Sequence, residues 1–245
     1  MFFHAPAALL YTSGYDANVG FFSCVPRAQD VVLHDELIHA SVHDGLRASR
    51  ASKASTGPFA HNDVRALGRI LARLVGERED VRGGTANVFI AVESLYSMDG
   101  DVAPLAAICE TVERLLPNHN GHIVVDEAHA TGVYGPRGRG LVAHFGLEDR
   151  IAARLHTFGK ALAGSGGEYE RSSVSANLMT TFGTPPAVLL TSPTVRSFLL
   201  NYSRPQIFTT AMTHANVIAL QCVIDILEDG SYLPVSSPLG RTYEG

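Results

Sequence analysis

The chain has 245 residues, 46% of them hydrophobic, 8% aromatic and 18% charged, with a formal charge of −5. That composition supports a buried core, excludes a disordered chain and leaves no basic footprint for nucleic acid. The longest apolar runs are strand-length, which excludes a transmembrane helix, and no basic stretch precedes the apolar start to make a secretory signal.

Six short apolar runs predict strands, in chain order Ala8–Tyr11, Val31–His34, Val88–Val92, His122–Val125, Leu155–Phe158 and Ala187–Thr191. Between them, Val64–Leu74 and Pro104–Leu115 carry apolar residues near three-and-four spacing, which predicts helices, with Pro104 suited to a first turn. The alternation is that of an α/β protein whose mainly parallel sheet is wrapped by helices on both faces. Residues 1–230 read as one large domain and 231–245 as a tail or the start of another domain. Cys24, Cys109 and Cys222 lack Cys-x-x-Cys spacing, so they read as reduced thiols of an intracellular, cytoplasmic protein.

Only two lysines occur, against seventeen arginines, and Lys160 stands where an apolar run breaks into small residues. Upstream, the run His122-Ile123-Val124-Val125 ends in Asp126-Glu127-Ala128-His129. In a wrapped parallel sheet both sites fall outside the carboxyl ends of strands, where ligands bind. A lysine, an aspartate and a histidine so placed are the working parts of a pyridoxal-phosphate enzyme. Asp126–His129 also matches the second nucleotide motif of helicases, but the phosphate loop that must accompany it is missing, since Gly159-Lys160 is followed by Ala161. His39 and His43 have the spacing of zinc ligands, yet Ala40 replaces the glutamate that a metalloprotease needs, and no metal is expected. Lys53, in a polar stretch, reads as a solvated loop residue.

Five segments in order, Ala8–Asn18, Asp35–Ser41, Glu93–Asp101, Asp126–Gly132 and Thr157–Lys160, resemble the α-oxoamine synthase family of pyridoxal-phosphate enzymes, and Ile207–Met212 adds a sixth. The resemblance implies the fold-type I large domain of that family. It implies that Lys160 carries the cofactor and moves protons, that Asp126 faces the pyridine nitrogen, and that His129 reaches the phenolic oxygen. It further implies that His39 stacks on the ring, that Ser97 lines the pocket, and that Gly14, Tyr15 and Thr157 bind the phosphate. Thr209 and Thr210 would reach the phosphate of a neighbouring subunit, which makes a homodimer with a shared site.

The implied substrates are an amino acid and an acyl-CoA, joined with loss of coenzyme A and carbon dioxide. Asp35–Ser41 and Glu93–Asp101 are most similar to the branch that joins alanine to a pimeloyl thioester in biotin synthesis. A serine palmitoyltransferase-like synthase and a synthase of secondary metabolism are the alternatives. A reading of another class is a catalytically silent partner subunit, because the family's glycine-rich amino-terminal loop and carboxylate-binding arginine find no counterpart unless Arg204 supplies the latter. Retention of Lys160, Asp126, His129 and His39 favours the enzyme. Finally, polar and patternless Glu168–Pro186 delays the strand expected after Lys160 and reads as an insertion, of the kind left by an intron carried into coding sequence.

Overall fold

The computed structural model describes residues 2–162 and 186–230. Its strands are β1 (Ala7–Tyr11), β2 (Val31–Asp35), β3 (Thr56–Phe59), β4 (Val88–Glu93), β5 (Gly121–Asp126), β6 (Ala153–Thr157) and β7 (Ala187–Thr191). They form one sheet in the order β1-β7-β6-β5-β4-β2-β3. The run from β3 to β6 is parallel, whereas β7 is antiparallel to both β6 and β1. The α/β expectation therefore holds, with β7 inserted against the direction of its neighbours. The suggested insertion at 168–186 lies outside the described residues apart from Pro186, as does the tail at 231–245.

The helices are α1 (Gly14–Cys24), α2 (Ala40–Arg47), α3 (Val64–Glu77), α4 (Glu79–Arg82), α5 (Leu105–Leu115), α6 (Leu141–His144), α7 (Pro193–Tyr202), α8 (Arg204–Ile207) and α9 (His214–Asp229). Side-chain oxygens of Ser13, Asp63, Ser192 and Thr213 accept amide hydrogens at the starts of α1, α3, α7 and α9, satisfying donors that a helix leaves open. Strand alternation distributes the core to two faces. Val31, Leu33, Val88, Ile90, Val92, Ile123 and Val125 pack with Leu67 and Leu71 of α3 and Ile108 and Val112 of α5. Val32, Phe89, Ala91, Val124 and Leu155 point the other way, against Phe21 and Phe22 of α1, Val42 of α2 and Leu199 of α7.

β3 carries Gly57 and Pro58 and, among the described residues, pairs with β2 alone. Proline cannot donate to a ladder, so such a strand is tolerated at a sheet edge, and the same residues hide it from a reading of apolar runs. No helix among the described residues is long and apolar enough to cross a membrane. Cys24 and Cys109 are buried free thiols, and burial pushes both up to about 11.

Candidate active site

The parallel strands β1, β2, β4, β5 and β6 end along one edge of the sheet, and there the chemistry collects. β5 ends at Asp126, β6 at Thr157 and β4 at Glu93, while β1 passes through Ser13 into α1. A cavity of about 240 Å³ is lined there by Gly14, Tyr15, His39, Asp126, Thr157 and Lys160, together with Asn18.

Asp126 is 8% exposed and is held at both oxygens: Asn18 Nδ2 donates to Oδ2 at 2.8 Å, and the Ala128 backbone N–H donates to Oδ1 at 2.9 Å. Its neighbour across the ladder is Glu93, whose carboxyl is pushed up to about 8, first by desolvation and then by the negative charge of Asp126. Lys160 follows the turn after β6, with its Nζ 2.9 Å from His129 Nε2. The residue is exposed to solvent, yet its amino end borders the cavity, where desolvation lowers the lysine below its ordinary range against the pull of Asp126 and Glu93. Desolvation, with the nearby Lys160 charge, also lowers His129. An amine so perturbed is more readily present as the uncharged nucleophile.

Gly14 opens α1 beneath Thr157. A Cβ there would stand 2.6 Å from Thr157 Cγ2, so only glycine lets the helix amino terminus approach the end of β6. Thr157 Oγ1 donates to Ala128 O at 3.3 Å, which ties the β6 end to the loop after β5. His39 is the N-cap of α2, its Nδ1 accepting from the Ser41 backbone N–H at 3.2 Å. Tyr15 sits edge-on to His39, with ring centres 6.2 Å apart, and its hydroxyl donates to Asp44.

Six of the expected residues, Gly14, Tyr15, His39, Asp126, Thr157 and Lys160, thus line one cavity, and His129 joins them through Lys160. Ser97 is exposed in the turn after β4 and lies outside this lining; that turn is fastened instead through Asp101, which accepts from Asn62 Nδ2 at 2.6 Å and meets His61 Nε2 at 2.6 Å. Thr209 and Thr210 are exposed between α8 and α9 and are not among the residues that line the cavity, and Arg204 stacks over Phe208. Lys53 is exposed in a short turn before β3.

Three residues with no expected role belong to the site: Asn18, Ser41 and Glu93. Asn18 stands four positions after Gly14, hence on the same helix face, and that spacing was the available signal. Glu127 proves structural. It is fully buried, its Oε1 accepts the Leu141 and Val142 backbone N–H groups at 3.0 and 3.1 Å at the start of α6, and Gly140 leaves room for its other oxygen. His43 packs edge-on to His34, and among the described residues no cluster of potential metal ligands is found.

The donor set fits pyridoxal phosphate: an amine for its aldehyde, an oriented carboxylate for its ring nitrogen, and a helix amino terminus beneath a glycine and a threonine for its phosphate. A lysine-centred pocket at the carboxyl edge of a mainly parallel, helix-wrapped sheet defines a fold-type I transferase. The chain belongs to the aminotransferase class I and II family, whose model matches residues 1–232.

It is 43% identical over 240 residues to an 8-amino-7-oxononanoate synthase of Emericella nidulans, covering 98% of this chain and 53% of that protein. The aminoacyl transferase sphA of Byssochlamys spectabilis is 37% identical over 230 residues, covering 94% and 44%. A serine palmitoyltransferase of S. paucimobilis, solved with PLP and myriocin bound, superposes with a TM-score of 0.74 at 26% identity, covering 94% of this chain and 49% of that one. The chain spans about half the length of the curated relatives it matches.

Proposed function

We propose that this chain is the cofactor-binding part of a pyridoxal-phosphate-dependent α-oxoamine synthase. The reaction condenses an amino acid with an acyl-CoA and releases coenzyme A and carbon dioxide. The observation that carries the reading is the single cavity that unites Lys160, Asp126 and His39 with the start of α1. Bound there, pyridoxal phosphate supplies an electron sink for the pair left at the substrate α-carbon.

The chain's own residues do the rest. Lys160 Nζ would hold the cofactor and would serve as the base for the substrate α-proton; its lowered pKa suits both tasks. Asp126, ionised and held by Asn18 and Ala128, keeps a proton on the ring nitrogen. His39 covers one ring face and fixes the ring plane against the bond to be broken. His129, beside Lys160, donates toward the phenolic oxygen. The Gly14 and Tyr15 amides and the Thr157 hydroxyl hold the phosphate.

Alanine and a pimeloyl thioester are the substrates in this proposal, in keeping with the Emericella relative and with a 35% identical putative 8-amino-7-oxononanoate synthase of Bacillus licheniformis. Thr209 and Thr210, exposed and outside their own cavity, serve the phosphate of a second copy in a homodimer. The proposed setting is the cytoplasm, consistent with the unpaired Cys24 and Cys109.

The test follows the α-proton of alanine in deuterated water with the chain loaded with pyridoxal phosphate. Exchange is expected, with loss in Lys160→Ala, and addition of pimeloyl-CoA should release free thiol only when alanine is present. Exchange undiminished in Lys160→Ala contradicts the proposal.

A further inference from the structure

We infer that Asn18 and Ser41 are positioning residues that join His39 to Asp126 in one hydrogen-bonded chain and fix the ring proton of His39 on Nε2. The purpose given to this chain rests on the pyridoxal-phosphate reading of the cavity; the contacts themselves do not.

Asn18 is 4% exposed on α1 and uses its amide nitrogen twice. Nδ2 donates to Asp126 Oδ2 at 2.8 Å and to Ser41 Oγ at 3.0 Å. The orientation of this amide is set by chemistry, because an ionised carboxylate only accepts and must be met by N–H rather than by oxygen. Two hydrogens serve two bonds, so both form together.

Ser41, fully buried, receives one hydrogen from Asn18 and keeps one to give. Its near acceptor is His39 Nδ1, 2.7 Å away. The Ser41 backbone N–H also points at Nδ1, at 3.2 Å. A backbone amide nitrogen has nothing to offer but its hydrogen, which makes Nδ1 an acceptor. A proton on Nδ1 would set one N–H against another across that contact, so the ring hydrogen belongs on Nε2.

The chain His39–Ser41–Asn18–Asp126 thus spans α2, α1 and β5 and ends on the two groups that grip the cofactor ring, one at its face and one at its nitrogen. A hydroxyl and an amide between them make the tilt of the imidazole and the plane of the carboxylate a single setting. Loss of either link should loosen both contacts to the ring.

The first measurement needs no cofactor. In the histidine-labelled 245-residue chain, with the His39 signal assigned by His39→Gln, long-range proton–nitrogen spectra should show hydrogen on Nε2 and none on Nδ1. Hydrogen on Nδ1 overturns the inference. Ser41→Ala keeps the backbone N–H and so should keep the hydrogen on Nε2, while loss of the hydroxyl donor should shift the Nδ1 signal toward that of a free acceptor nitrogen, an effect that a merely space-filling serine would not have.

The second measurement is a titration of the chain with pyridoxal phosphate by absorbance. Ser41→Ala and Asn18→Leu should each weaken binding by about tenfold, as expected for a lost hydrogen bond in a charged network. The double variant should be no weaker than Asn18→Leu alone. Losses that multiply mean two independent contacts and overturn the coupling. A parent chain that binds no pyridoxal phosphate contradicts the proposed function instead, while the tautomer measurement still decides the hydrogen-bonded chain.

Discussion

Replacement of Gly14 by alanine probes the closest approach in the site. The added Cβ would lie 2.6 Å from Thr157 Cγ2 and 3.7 Å from Leu155 Cδ2, against an ordinary carbon–carbon contact of about 3.5–4.0 Å. Relief requires the threonine methyl to move by roughly 1 Å. Rotation about χ1 is a poor escape, because it displaces Oγ1 from its bond to Ala128 O at 3.3 Å and β-branched side chains are stiff there.

Overpacking of this kind costs about 1–3 kcal/mol, and the better helix propensity of alanine returns at most about 1 kcal/mol. The net expectation is a loss of about 1–2 kcal/mol in the cofactor-free chain, read from urea midpoints. Displacement of the Thr157 hydroxyl from the phosphate position should also weaken pyridoxal phosphate by about tenfold, the equivalent of roughly 1.4 kcal/mol. Gly76→Ala is the control. It lies in α3 with nothing within 4 Å of a built Cβ, so it should stabilise by up to about 1 kcal/mol and leave binding unchanged. If Gly14→Ala is as stable as the parent and binds the cofactor equally well, the close-approach argument is refuted.

The Glu93 carboxyl is raised from 4.5 to about 8 in the folded chain, so the unfolded chain sheds this proton first. Between those values the parent should lose stability as pH rises, by up to about 1.4 kcal/mol per unit, and Glu93→Gln should remove that slope. Urea midpoints of the two cofactor-free proteins across the window test this, and parallel curves contradict it; Glu127, raised to about 7, is common to both and cancels. Asp126→Asn keeps the shape of the side chain and removes its charge, so α-proton exchange of alanine should slow by about 100-fold or more while pyridoxal phosphate still binds. Exchange at the parent rate removes the electron-sink role from Asp126.

The legible part of the fold was the buried part. β2, β4 and β5 are continuous apolar runs, and the helices at Val64–Glu77 and Leu105–Leu115 repeat their apolar residues at helical spacing, so pattern alone located them. β3 escaped because Gly57 and Pro58 break the pattern that an edge strand does not need. The direction of β7 also escaped, since parallel and antiparallel strands buried on both faces have the same composition.

In the site, Lys160 and Asp126 stood out through rarity and position at strand ends. Asn18, Ser41 and Glu93 did not, because each works through another residue, by contacts that bridge separate elements, as between Asn18 and Asp126. Ser97, Thr209 and Thr210 mark the opposite limit. Their roles came from resemblance alone; all three are exposed and stand outside the lining of this cavity.

The central claim is that Lys160 carries the cofactor, and the chain offers an unusually clean test because Lys53 is the only other lysine. The chain is loaded with pyridoxal phosphate, treated with borohydride to make the carbon–nitrogen link permanent, digested and mapped by mass. The pyridoxyl mass should sit on the peptide that contains Thr157-Phe158-Gly159-Lys160 and should vanish in Lys160→Ala. A label on Lys53, or one that survives Lys160→Ala undiminished, contradicts the account.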